Sequence, residues 1–269
     1  MPAIVDRCSS LVAAERAVPP SPLSRALPES LAVDGAAGQR LELTSRGDRV
    51  PAALWQPPGE GSAPLVVLQY GAGGEIGPAH LATVTRLVGA GLAVVTVDWP
   101  LHGARRSPKL SERLLDALER GDADPNGRGL IEHFLRQCVL DLSRTLDRAG
   151  ELERIDATRV GLLGSGLAAP LLALLAAVDP RPSALALAPP DRPPARDDLE
   201  LSALLAAGKP RPTLLLGRDG DAALPPDAQE ALCQACPGEA RWRAVSGPLE
   251  PLGPGAAIAA VEHLCEVLR

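Results

Sequence analysis

Four histidines, five cysteines and a few carboxylates beside glycine-rich turns are the groups in this 269-residue chain whose types suit chemistry. Histidine comes first, because its charge changes near neutral pH and serves acid–base and metal work alike. His102 lies four residues after Asp98, and Glu75 follows Gly71-Ala72-Gly73-Gly74. His102 and Asp98 read either as an acid–base pair or as partners that hold a loop together by hydrogen bonds. His80 opens a helix and is expected at the surface. His133 and His263 fall opposite the apolar stripes of their helices and read as solvated. Cys233 and Cys236 form a lone C-x-x-C at the end of a helix. Without a second ligand pair this is not a zinc site, and it reads as packed thiols. No Gly-Lys-Ser/Thr or Gly-x-Gly-x-x-Gly pattern is present, so no nucleotide cofactor is expected, and no metal.

Composition narrows the partners. The chain is 46% hydrophobic and 22% charged, which excludes wholesale disorder, and its 27 basic against 33 acidic residues argue against phosphate neutralisation of a nucleic acid. Residues 160–178 carry no charge and approach the ~20 residues a spanning helix needs. Gly161, Gly164, Gly166 and Pro170 interrupt them, so a buried strand, a turn and a buried helix are expected instead of a membrane span. No apolar leader opens the chain, and an odd number of scattered cysteines points to the cytoplasm. The expected partner is a small-molecule ligand or a carbonyl-containing compound.

These groups must be positioned by regular elements. Residues 1–38 are spotted with proline and read as an extended arm, ahead of one domain over 39–269. Strands are expected at 41–45, 50–55, 64–70, 92–98, 159–163, 184–188, 212–217 and 241–246. Helices are expected at 78–90, 111–120, 129–149, 167–177, 198–207, 227–236 and 255–268. The 129–149 helix shows one apolar face in Ile131, Phe134, Leu135, Cys138, Leu142 and Leu146. Strands that are apolar throughout, alternating with helices, give an α/β fold with a mostly parallel sheet and helices on both faces. The segments 104–128 and 189–208 are the material for a small cap.

Four segments in order resemble the α/β-hydrolase superfamily, in its dienelactone-hydrolase-like and serine-aminopeptidase-like branches. Tyr70-Gly71-Ala72-Gly73-Gly74 resembles the His-Gly-x-Gly-Gly oxyanion loop, with Tyr70 in place of the His. The run Asp98 to Arg105 resembles the Asp-x-Pro-x-His-Gly-x-Arg loop. Arg159 to Ala169 resembles the strand leading into the nucleophile elbow, and Pro212 to Pro225 the strand and loop of the triad acid. The resemblance implies Asp221 as the triad acid and the backbone N–H groups of Ala72 and Leu167 as oxyanion donors.

The sequence departs from the superfamily at two points. With the elbow pattern set by Gly164 and Ala168, the nucleophile position is Gly166, and Ser165 falls one residue early. The triad base belongs between the last strand and the last helix, where Ser246 to Gly253 holds no histidine and Leu249 is the nearest counterpart. Three readings follow. The first is a non-catalytic binding or scaffolding protein, a pseudoenzyme. The second is a noncanonical hydrolase, lyase or cyclase run by Asp98, His102, Glu75 or Asp221. The third is an esterase using Ser165 through a shifted elbow.

Overall fold

The computed structural model describes residues 2–16, 23–26, 31–71, 78–121, 127–191, 199–221 and 224–269. Its centre is a nine-stranded sheet in the order β1-β2-β3-β5-β4-β6-β7-β8-β9. β1 (Leu23–Ala26), β2 (Ala37–Ser45) and β3 (Asp48–Gln56) form an antiparallel edge, and β3 also runs antiparallel to its neighbour β5 (Ala93–Val97). From β5 onward every pairing is parallel: β4 (Ala63–Gln69), β6 (Ile155–Ser165), β7 (Pro182–Ala188), β8 (Thr213–Arg218) and β9 (Ala240–Val245).

The apolar runs explain the placement. All seven residues of β4 are buried, with Leu65 and Val67 on one face and Val66 and Leu68 on the other, the pattern of a central strand covered on both sides. One face is covered by α2 (Pro78–Gly89) and α8 (Pro254–Leu268). The other carries α3 (Pro108–Arg120), α4 (Arg128–Ala149), α5 (Ala168–Val178), α6 (Leu201–Ala206) and α7 (Pro226–Ala235). The stripe expected on α4 is there: Ile131, Phe134, Leu135, Cys138, Leu142 and Leu146 are all buried.

Three expectations are corrected. The N-terminal segment is not an extended arm. Residues Ala3–Arg16 form helix α1, which buries Ile4, Val5, Cys8 and Val12 against α4 and α5, and β1 extends the sheet. The prolines that suggested an arm lie after that helix. His263 is buried rather than solvated, because α8 packs through the small residues Ala256, Ala259 and Ala260, and this turns Ile258 outward. His80 is buried as well, its ring centroid 4.0 Å from that of Tyr70. His133 is exposed.

Of the cap material, 122–126 and 192–198 lie outside the described residues. The helices in these segments join the helix layer: α3 packs on α4, and α6 packs on α5 and α7. No described helix is long and apolar enough to cross a membrane.

Candidate active site

Every segment singled out by the sequence lies at the C-terminal end of a sheet strand. Tyr70 and Gly71 follow β4, Asp98 follows β5, Gly166 and Leu167 follow β6, Asp221 follows β8, and Leu249 and Glu250 follow β9. In open α/β sheets this is the edge where ligands bind.

The chain turns from β6 into α5 at Gly166, whose φ is +60°. Glycine takes that backbone conformation without the Cβ penalty. The Gly166 N–H donates to the Ala188 carbonyl at 3.1 Å, which fixes the turn to the end of β7. Gly164 has no room for a side chain, since a Cβ there would come within 2.6 Å of Leu172 Cδ1. Ser165 is fully buried and its hydroxyl makes no hydrogen bond. Leu167, expected to supply an N–H donor, opens α5 with no side-chain cap. The first N–H groups of a helix have no intrahelical partner.

The space above Gly166 is filled by a residue that sequence reasoning missed. A Cβ built on Gly166 would land on Glu250 Oε2, and one built on Gly71 would land on Glu250 Oε1. The carboxylate of Glu250 is therefore wedged between the two glycines and accepts a hydrogen bond from the Gly71 N–H. As a residue Glu250 remains exposed, so the site opens to water. Partial burial of the carboxylate, with the negative charge of Asp191 second, raises its pKa above the ordinary glutamate value, and the Gly71 N–H opposes the shift.

Leu249 is the residue expected as the nearest counterpart of the base. It is buried in the apolar cluster under α8 and forms a bridge with Leu252. The loop anchors itself through these two leucines, and it is Glu250 that reaches the turn. A signal for it was present in the sequence: among Ser246 to Gly253, Glu250 is the single ionisable side chain.

Asp221 lies on the neighbouring loop, half-buried, where its charge acts on Arg218. Arg218 is ion-paired with Asp191. Tyr70 is buried, its phenol pushed up to about 12 by desolvation, and its carbonyl accepts the Trp99 indole N–H at 2.9 Å. Ala72, Gly73, Gly74 and Glu75 lie outside the described residues.

Asp98 and His102 serve their own loop. The Asp98 carboxylate accepts the Ala104 N–H at 3.1 Å, and Arg105 reaches both the Asp98 carbonyl and the buried Asp141 of α4, at 3.2 and 2.5 Å. His102 is buried, with Nδ1 2.8 Å from the Pro100 carbonyl and its ring 5.7 Å from that of Phe134. Burial lowers its pKa, against the Pro100 carbonyl and the Asp98 charge. Among the described residues no group of three or more His, Cys, Asp or Glu side chains is arranged to hold a metal ion. Cys233 and Cys236 are free thiols at the end of α7, and burial raises both pKa values.

No protein family and no curated protein matches this chain in sequence. Solved structures do match in fold. An acetyl xylan esterase from Paenibacillus sp. R4 superposes with a TM-score of 0.73 at 17% identity, covering 98% of this chain and 93% of that one. Acetyl xylan esterase 1 from Thermoanaerobacterium sp. JW/SL YS485 superposes at 0.74 with 17% identity, covering 100% and 95%. A cold-adapted esterase from an Arctic intertidal metagenomic library gives 0.68 at 18% identity, covering 91% and 100%. With the strand order above, these matches establish the α/β-hydrolase fold for this chain.

Proposed function

We propose that this chain is a hydrolase-fold enzyme that works without a serine nucleophile, with Glu250 as its acid–base group and a small ester-type carbonyl compound as its substrate. One observation carries the reading: the carboxylate of Glu250 fills the space where a side chain at position 166 would project. Gly166 carries no hydroxyl, and that of the adjacent Ser165 is sealed in the core. The group left facing the turn is an ionisable carboxylate whose pKa is raised toward the working range of a general base.

The reaction runs with water as nucleophile. Glu250 takes a proton from a water molecule as the water oxygen bonds to the carbonyl carbon. The tetrahedral intermediate then loses its alkoxide, which receives the proton back from Glu250, leaving a carboxylic acid and an alcohol. Loss of a positioned general base costs on the order of 10²–10⁴ in rate. Asp221 and Asp191 shape the charge around Glu250 in this reading, and Asp98 and His102 brace the loop after β5.

A second reading, non-catalytic binding, is favoured by a different observation. The Gly71 N–H, a donor suited to a developing oxyanion, is taken by Glu250 itself. The free thiols support the cytoplasm as the place of action.

The test is a panel of short acyl esters and a fluorophosphonate probe, applied to the wild-type chain and to Glu250→Gln. Turnover without labelling, abolished in the variant and rising with pH through the pKa of Glu250, is the expected result. Labelling at Ser165 overturns it in favour of an ordinary esterase. Ligand binding with no turnover of any ester overturns it in favour of the binding reading.

A further inference from the structure

A cavity of about 270 Å³ lies between the end of β7 and the helices α6 and α7. Its walls include Pro189, Pro190, Leu201, Leu224, Ala228 and Leu232, with Glu200 and Ser202 the polar residues among those that line it. Among the described residues that line it there is no aromatic ring and no cationic side chain.

Short chain connections join the cavity walls to residues of the candidate site. Ala188, whose carbonyl holds the Gly166 N–H, is followed directly by Pro189 and Pro190 of the cavity wall. Asp191, next in sequence, is close enough to Glu250 for its charge to act on it. The opposite wall, Leu224, stands on the same β8 loop as Asp221, and its N–H donates to the Asp221 carbonyl at 3.3 Å.

We infer that this cavity is the subsite for an unbranched aliphatic chain of the substrate, so that the ester acted on is a medium-chain alkyl one. At interior packing density its volume holds a chain of roughly eight carbons. Turnover of such an ester rests on the acid–base role given to Glu250, whereas occupation of the cavity does not, and the experiment separates the two.

The full-length chain is titrated with 1-butanol, 1-hexanol and 1-octanol by calorimetry. Burial of each further methylene is expected to strengthen binding about fourfold, up to the length the cavity holds. Ala228→Trp, which fills the cavity from α7, should remove this dependence on chain length, and Glu250→Gln should leave it unchanged. Ala231→Phe on the same helix is the second blocking variant should Ala228→Trp fail to fold, as judged by circular dichroism. In parallel, methyl acetate and methyl octanoate are compared as substrates, with the octanoate preferred by the wild type and the preference lost on blocking. Binding that does not grow with chain length, or that survives both folded blocking variants, overturns the inference. Chain-length-dependent binding with no ester turnover leaves the cavity assignment standing and removes the acid–base reading instead.

Discussion

Gly166→Ala tests the geometry of the turn directly. Two costs follow from the structure. The backbone at 166 has φ +60°, where a residue bearing a Cβ is less stable than glycine by about 1–2 kcal/mol. The new methyl would also land on Glu250 Oε2, so the carboxylate must swing away and give up the Gly71 N–H. Because Glu250 is exposed and regains water when it leaves, that loss is held to about 1 kcal/mol. Against these stands the lower chain entropy of alanine in the unfolded state, about 0.4–1 kcal/mol in favour of the variant. The net expectation is a destabilisation of about 1–2.5 kcal/mol, read from urea unfolding followed by circular dichroism. The double variant Gly166→Ala with Glu250→Ala keeps the backbone cost and loses the clash. The two substitutions should therefore couple by about 1 kcal/mol, well above the ~0.3–0.5 kcal/mol scatter of independent sites. A Gly166→Ala protein within 0.5 kcal/mol of wild type, or a cycle that closes additively, would refute the wedge between Gly71 and Gly166.

Three further outcomes are expected. Arg105→Ala leaves Asp141, fully buried in α4, without its cation and should cost about 3–5 kcal/mol in urea unfolding, while Arg105→Met with Asp141→Leu should recover most of the loss. Phe134→Ala opens a cavity under the loop after β5 and should cost about 3–5 kcal/mol by the same measurement. For Glu250 the sign follows from its raised pKa. The native state holds this proton more tightly than the unfolded chain, so the group favours folding below the ordinary glutamate pKa and loses that contribution as pH rises through its raised native value. Plotted against pH, the melting temperature of wild type relative to Glu250→Gln should fall across that window, and a flat difference would contradict the raised pKa.

Much of the fold was legible because burial on both faces of a sheet leaves strands without polar interruption. Residues 64–70 and 92–98 announced the centre of the sheet in this way, and the stripe on α4 announced the helix that covers it. The turn at Gly166 was legible too, since glycine between a strand and a helix, flanked by Gly164 and Ala168, has few other uses. Helix phase on α8 was not. Ile258 outweighs alanine on any hydrophobicity scale, yet the small Ala256, Ala259 and Ala260 set the close packing and carry His263 inward with them. Helix α1 was hidden by the prolines that follow it. Glu250 is hidden for a chemical reason: the superfamily pattern places an imidazole in this loop, and one glutamate in a surface loop looks like ordinary solvation until its carboxylate is placed against Gly71 and Gly166.

The docking of α1 bears on the order in which this protein is made. Ile4, Val5, Cys8 and Val12 emerge from the ribosome before the surface that buries them, which belongs to α4 and α5, residues Arg128–Ala149 and Ala168–Val178. The ion pairs that seat the helix, Arg7 with Glu132 and Arg144 with Glu15, span the same gap in sequence. At ~5–20 residues per second α1 therefore waits several seconds with its apolar side uncovered. During that interval the growing chain presents a hydrophobic segment that a trigger-type holdase can grip and that a neighbouring nascent chain can join. The helix that packs on α4 and α5 in the finished domain is thus left uncovered while they are being made.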